Sequence, residues 1–218
     1  MGQIAPDPIA AYIAGLHGPA EPLIEEVEAA GRAAGLPLVD PATARLLRSL
    51  VIATDARQVL EIGTAIGYSA LWMGHVLPEE GRLITLEIDP ERAATARRHV
   101  ERAGLDSRVS VIVGDAARFL HKLAGPFDLV FQDGAKRLYE PLLDGLIALL
   151  RPGGVLITDN VLWNGEVVPG FIEHPTRDAA DARAIRQYNE RLSREPRLTT
   201  VFLPVGDGVA LSVRVDER

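Results

Sequence analysis

Cysteine is missing from all 218 residues, which excludes disulfides, thiolate metal ligands and a cysteine nucleophile. Long apolar runs are missing too: none could span a bilayer, and no signal-peptide pattern opens the chain. "MGQIAP" lacks the Ser or Thr at position 6 that a myristoylation signal requires. The expectation is a soluble, cytoplasmic protein with no membrane partner. Positive charge is in deficit, with a formal net charge of -7, so a broad nucleic-acid-binding face is not the default, although a local basic patch stays open. Lysine is nearly absent: of 23 Lys and Arg residues, only Lys122 and Lys136 are lysine. Arginine does not give up its proton, so proton transfer by a basic side chain cannot fall to the others. The five histidines are scattered without ligand spacing.

What remains is ordinary for a globular chain: 47% apolar and 24% charged residues. The length suits one domain over residues 1–218, with residues 1–56 forming a helical part of it. "PLIEEVEAAGRAAG" is amphipathic, and "DPATARLLRSLVIATDA" places Asp40 as a cap before Pro41 at the first helical position. Beyond it, the strand candidates "QVLEI", "LITLEI", "VSVIVG", "FDLVF" and "GVLITD" alternate with helical stretches. These are "GYSALWMGHVL", "DPERAATARRHVERAG", "DAARFLHKLAG" and "KRLYEPLLDGLIALLRPGG". That alternation predicts βαβ units around a parallel sheet. "TTVFLP" and "GVALSVRV" flank a "VGDG" turn, which predicts an antiparallel hairpin at one sheet edge. The expected fold is an α/β three-layer sandwich, mainly parallel, with extra N-terminal helices. "NGEVVPGFIEHPTRDAADA" is expected to be a surface loop before the helix "ARAIRQYNERLSRE".

"EIGTAIGYS" follows the first strand and has the look of a nucleotide loop. A dinucleotide fingerprint counted from Gly63 needs glycine at 65 and 68, where the chain has Ala65 and Tyr68. Glu61 at the strand end would repel a phosphate. S-adenosylmethionine (SAM), with an ammonium, a sulfonium and no phosphate, fits better. Glu61 attracts the cationic end, Gly63 and Gly67 leave room, and Ser69 supplies a hydrogen bond. Glu87 ends the second strand, where an acid meets ribose hydroxyls, as it also does in NAD enzymes. Asp115 and Ala116 end the third, placed to edge the adenine. The competing assignments are Glu61 as a surface charge and Asp89 and Asp115 as helix caps; for Asp89 the cap is preferred.

"FQDGAK" and "ITDNVLWNG" close the fourth and fifth strands. Strand C-termini of an open parallel sheet gather at one edge. Asp133, Asp159 and Asn160 therefore converge as three oxygen donors, the set of a hard cation such as Mg²⁺ with open positions. Against this stands the plain alternative of two loop-capping aspartates. Lys136, three residues past Asp133, faces the same edge. A cation and a helix N-terminus there would both disfavour its ammonium form and make it a proton acceptor; the alternative is a solvated lysine. Trp163 is expected either to wall an aromatic substrate or to be a core or rim residue.

These segments carry a resemblance. "VLEIGTAIGYSA", "GRLITLEID", "FDLVFQDGAK", "LLRPGGVLITDNVLWNG", "AIRQYNERL" and "LPVGDGVALSVR" together resemble the cation-dependent O-methyltransferases, the group of catechol and caffeoyl-CoA O-methyltransferases, from about Leu36 to Arg214. The resemblance implies a Rossmann-like fold and Lys136 as the base. It implies Asp133, Asp159 and Asn160 as metal ligands, and Glu61, Gly63, Ser69, Glu87, Asp115 and Ala116 at SAM. It also brings Val39, Tyr68 and Asp133 to the cofactor, and it implies a homodimer, which apolar N-terminal helices suit. Gln132 and Ala135 depart from many relatives, which bears on the acceptor. Within the group, "EIGTAIGYSA" and "FLPVGDGVALSV" look closest to bacterial members that methylate 5-hydroxyuridine in tRNA. A catechol and a 5-hydroxyuracil both offer two vicinal oxygens, so a small catechol-like phenol is the expected acceptor and tRNA hydroxyuridine the alternative. Phosphate contacts for a tRNA would come from Arg137, Arg177, Arg183 and Arg186, set against Glu166, Glu173, Asp178 and Asp181. An NAD-dependent oxidoreductase and a nucleotide-binding regulatory domain without chemistry are the rival classes.

Overall fold

The computed structural model describes residues 6–172 and 178–215. Three helices come first: α1 (Asp7–Leu16), α2 (Pro22–Ala33) and α3 (Pro41–Ala53). The Asp40 carboxylate caps α3, accepting from Ala42 N at 2.8 Å, as the Asp-Pro pair predicted. Seven strands follow, β1 (Gln58–Ile62), β2 (Arg82–Glu87), β3 (Val109–Val113), β4 (Phe127–Gln132), β5 (Leu150–Asp159), β6 (Leu198–Leu203) and β7 (Val209–Arg214). They form one sheet in the order β3-β2-β1-β4-β5-β7-β6. The first five are parallel; β7 pairs antiparallel with β5 and with β6, so the hairpin lies at the edge as expected. Between the strands lie α4 (Tyr68–Gly74), α5 (Pro90–Arg102), α6 (Ala116–Phe119), α7 (Tyr139–Leu149) and α8 (Ala179–Ser193).

Alternate residues of the central strands face two cores. Val59, Leu129, Phe131, Val155 and Ile157 pack with Ile24, Val27, Leu47, Leu71 and Ala96 of α2 to α5. Leu60, Ile62, Val130 and Leu156 pack with Leu143, Leu146, Tyr188 and Leu192 of α7 and α8. Burial on both faces explains why these strands read as continuous apolar runs rather than alternating ones. Helix α1 differs, exposing Ile9, Tyr12, Ile13 and Leu16.

Three boundaries depart from the sequence expectation. "LLRPGG" does not prolong the helix: α7 stops at its first residue, Leu149, and β5 begins at Leu150, because Pro152 cannot continue a helix and Gly153 takes a left-handed φ of +70°. "DAARFLHKLAG" makes four α-helical residues and then a 3-10 turn, Leu120–Lys122. The expected loop after Asn164 ends early, because Asp178 accepts from Ala180 N and starts α8 at Ala179; its residues 173–177 lie outside the described residues.

The sheet order reverses between β1 and β4. There the connections leave on opposite sides and open a crevice at the strand C-termini. All the candidate groups on β1, β2, β4 and β5 end at this edge.

Candidate active site

The loop after β1 is held from below by carboxylates. Glu61 is fully buried, with Ser69 Oγ donating to its Oε1 and Thr85 Oγ1 to its Oε2, both at 2.5 Å. Thr64 Oγ1 lies 2.5 Å from Thr85 Oγ1; since Thr85 already donates to Glu61, Thr64 donates to Thr85. Burial pushes the Glu61 carboxyl up to about 7, against these hydroxyl hydrogen bonds, which pull it down. Glu61 is thus not the surface charge that one reading allowed, and each of its two oxygens accepts from a protein hydroxyl. Glu87 holds the loop from β2. Its Oε2 accepts from Ala65 N at 2.8 Å, and its Oε1 from Asp89 N at 3.0 Å and Arg92 Nη2 at 2.9 Å. A carboxylate has about four acceptor positions, so Oε2 keeps one for a further donor.

The glycines make room for protein. Gly63 has φ +98°, and a Cβ there would stand 2.4 Å from Asp133 O. The space at Gly63 is therefore where the β4 chain end passes, with Asp133 N donating to Ile62 O at 2.9 Å. Gly67, at φ +91°, lets Ala96 of α5 approach, its Cβ position being 3.3 Å from Ala96 Cβ. Ala65 adopts the left-handed φ of +47° that a glycine would take without strain. Tyr68 turns away from the crevice: its hydroxyl donates to Glu28 Oε2 on α2 at 2.8 Å and its ring meets Trp72 edge-on. A cofactor contact at Tyr68 would use its main chain. Val39 is buried beside α3. Asp89 caps α5, accepting from Glu91 N and Arg92 N, and Asp115 caps α6, accepting from Ala117 N, with Ala116 buried next to it.

On the other side of the crevice, Lys136 Nζ donates to Asp133 Oδ1 and to Tyr139 Oη, each at 2.8 Å. Lys136 lies on a 3-10 turn, Lys136–Leu138, that runs into α7. Its ammonium is 5.0 Å from the Tyr139 ring centre and 5.9 Å from that of Trp163, which puts Trp163 at the site's rim. Tyr139 is fully buried, and its hydroxyl donates to the main-chain O of Asp159 at 3.0 Å. Burial, and then the charges of Asp133 and Asp159, hold its phenol well above the ordinary tyrosine range, so it keeps its proton. Burial raises the Asp133 carboxyl, with Lys136 opposing. Burial and the Asp133 charge raise that of Asp159 further. Asp159 Oδ1 is buried with no hydrogen-bond partner. Among the described residues no group of three or more His, Cys, Asp or Glu could hold a metal ion; the third donor here is the amide of Asn160, at φ +60°. A buried Asp159 with an orphan oxygen, a half-buried Asp133 whose charge raises the Asp159 pKa, and a neighbouring amide are a donor set that suits a hard divalent cation.

Two side chains at this edge escaped the sequence patterns. Tyr139 follows Lys136 by three residues but reads as the apolar face of a helix. Asp207, in the "VGDG" turn, reads as turn chemistry; in the fold it is buried, accepts from Asn164 N, and adds negative potential at Asp133 and Asp159. Gly208 beside it, at φ +87°, leaves space for Leu162, so the hairpin turn clamps the loop that carries Asn160 and Trp163. Of the basic residues considered for phosphate contacts, Arg137 is paired with Asp178 and Asp181, and Arg186 Nε donates to Val167 O. Arg183 is exposed; Arg177, like Glu173, lies outside the described residues.

The profile of the O-methyltransferase family matches residues 21–215. A catechol O-methyltransferase of Niastella koreensis is 38% identical over 191 residues, covering 83% of this chain and 84% of that protein. One from Mycobacterium tuberculosis is 38% identical over 201 residues, covering 88% and 89%. Among solved structures, an O-methyltransferase from Bacillus cereus in complex with SAH superposes with a TM-score of 0.82 at 33% identity, covering 95% of this chain and 97% of that one.

Proposed function

This chain belongs to the O-methyltransferase family and is a SAM-dependent enzyme, and we propose that it methylates a hydroxyl of a catechol-like phenol with the help of a divalent cation. The observation that carries this reading is the pairing of Lys136 with Asp133, next to the orphan Oδ1 of Asp159 at the neighbouring strand end. Asp133, Asp159 and Asn160 would hold Mg²⁺ or a similar ion, which when bound supplies Lewis acidity toward two vicinal oxygens. SAM supplies a methyl group on a positively charged sulfur. Glu87 binds its ribose through the free acceptor position of Oε2, the loop from Gly63 to Ser69 lines it, and Asp115 and Ala116 edge the adenine.

Lys136 Nζ takes the proton of the reacting hydroxyl. That oxygen then attacks the methyl carbon in line. The O–CH₃ bond forms as the S–CH₃ bond breaks, and its electron pair stays on sulfur, leaving SAH and a methyl ether. The crevice holds both reactants in one arrangement, which is worth roughly 7–11 kcal/mol of barrier in well-oriented cases. Trp163 offers a face to a flat acceptor. A small phenol is favoured over a tRNA because Arg137, the base's basic neighbour, is neutralised by two aspartates. The homodimer expectation rests on the exposed apolar face of α1.

The test is methyl transfer from SAM to a panel of catechols and monohydroxy phenols, with hydroxyuridine-containing tRNA as competitor at two salt concentrations. We expect turnover of catechols alone, a loss of roughly 10³-fold with chelator, and recovery with Mg²⁺ or Mn²⁺. Full activity in excess chelator would remove the cation from the reading. A salt-sensitive preference for the tRNA would replace the acceptor and keep the rest.

A further inference from the structure

We infer that Tyr139 is the residue that positions Lys136, by offering its amine an acceptor whose own proton is already committed to the Asp159 main chain. The inference rests on the reading of Lys136 as the base and deepens it. Tyr139 Oη has one proton. It goes to Asp159 O at 3.0 Å, a buried carbonyl at the end of β5. The lone pairs of Oη therefore face Lys136, 2.8 Å away, and Lys136 must be the donor of that contact. Asp133 Oδ1, also at 2.8 Å, accepts a second N–H. With two of the four tetrahedral directions at Nζ assigned to fixed acceptors, the lysine's four-carbon stem loses its usual freedom. The direction in which Nζ meets an acceptor hydroxyl is set by protein geometry.

Tyr139 is in turn held on three sides. Its ring meets Tyr188 edge-on at 5.4 Å, and its main-chain O accepts from Gln132 Nε2 at 3.3 Å. Tyr188 Oη lies 2.7 Å from Thr158 Oγ1 and 3.3 Å from Gln132 Oε1. Gln132 and Thr158 are the residues directly before Asp133 and Asp159. One buried polar network thus ties the chain ends of β4 and β5 to the residue that holds the amine. A solitary hydroxyl at hydrogen-bond distance would be ordinary packing. A hydroxyl that can only accept from the base, and that is anchored to both neighbouring strand ends, is a positioning device.

The experiment is a four-member cycle of the full-length enzyme: native, Tyr139→Phe, Lys136→Ala and the double variant. Rates are measured with SAM, Mg²⁺ and the best catechol of the panel. Tyr139→Phe keeps the ring against Tyr188 and removes only Oη. We expect kcat to fall roughly 10–100-fold in the native background, with the Kd for SAM unchanged. In the Lys136→Ala background the same change should cost nothing further, because there is no amine left to hold. Equal losses in both backgrounds would mean that Tyr139 acts through general stability, and this inference would be wrong while the base assignment stood. A Lys136→Ala enzyme with near-native rate would overturn the base reading and this inference with it. If Tyr139→Phe does not fold, a ring-fluorinated tyrosine at 139 replaces it. That residue keeps the shape and weakens Oη as an acceptor, so kcat should fall in the native background only; an unchanged kcat would again overturn the inference.

Discussion

The two halves of the crevice are built in opposite ways. At the β1–β2 end the carboxylates are finished in the sense that every oxygen already has a protein donor: Glu61 has a hydroxyl on each oxygen, and Glu87 holds two main-chain N–H groups and a guanidinium with one position on Oε2 left over. At the β4–β5 end they are not. Burial raises both Asp133 and Asp159, the Asp133 charge raises Asp159 further, Asp207 adds to the same potential, and Asp159 Oδ1 has no partner. A finished carboxylate shapes a loop before any ligand arrives. An unfinished one stores a cost that a cation can relieve. The glycine loop therefore belongs to the rigid side of the site, and the aspartates to the side completed by what binds.

Gly63 joins the two halves, and breaking that joint should have the largest effect. In Gly63→Ala the new Cβ meets Asp133 O at 2.4 Å from a backbone of φ +98°. Destabilisation on the order of 3 kcal/mol is expected, together with loss of turnover, because relief requires moving the chain that carries Asp133. Denaturant unfolding and the methyl-transfer assay check both; native stability would mean that the halves are not coupled here.

The finished side is sharpened by Glu61→Gln. The folded-state pKa of Glu61, about 7, lies above its ordinary 4.5, so the folded protein binds that proton more tightly than the unfolded chain does. Its contribution to stability is complete below pH 4.5 and is lost as pH rises through 7. Over that window the native enzyme should lose up to about 3 kcal/mol that the glutamine variant does not. Melting curves of the ligand-free proteins across the window measure the difference, and parallel slopes would contradict the assignment.

The unfinished side yields the smallest and most diagnostic effect. Asp159→Asn removes a buried charge that the Asp133 charge disfavours. In chelator at neutral pH the variant should be about 1 kcal/mol more stable than the native protein, while Mg²⁺ no longer raises its Tm. A variant less stable without metal would show that Asp159 is held by partners rather than waiting for one.

Much of this was legible in the chain. The strand-and-helix alternation placed every strand to within a few residues, and the Asp40 and Asp89 caps explain where two helices begin. Local hydrophobic period and capping chemistry lie close together in sequence, so they can be read there. "LLRPGG" was misplaced because its leucines have no period of their own; pairing with Phe127 of β4 makes Leu150 a strand residue. The missing glycine at 65 spoke correctly against a dinucleotide loop, yet Ala65 takes the glycine-like conformation, because Glu87 captures its N–H.

Strand-and-helix periodicity and the motifs at the strand ends were enough for the fold, the family and the identities of the chemical groups. Parallel βαβ topology obliges residues at strand ends to share one edge, whichever side chains they carry. What each group touches follows from the packed fold alone. Tyr68 finds Glu28 across 40 residues, Asp207 finds Asn164 across 43, and Tyr139 finds the end of β5 across 20. The space at Gly63 is filled by a main chain 70 positions on. Hydrogen bonds are short and directional, so a side chain's role depends on which distant backbone the sheet order brings within 3 Å, and that is a property of strand order rather than of spacing along the chain.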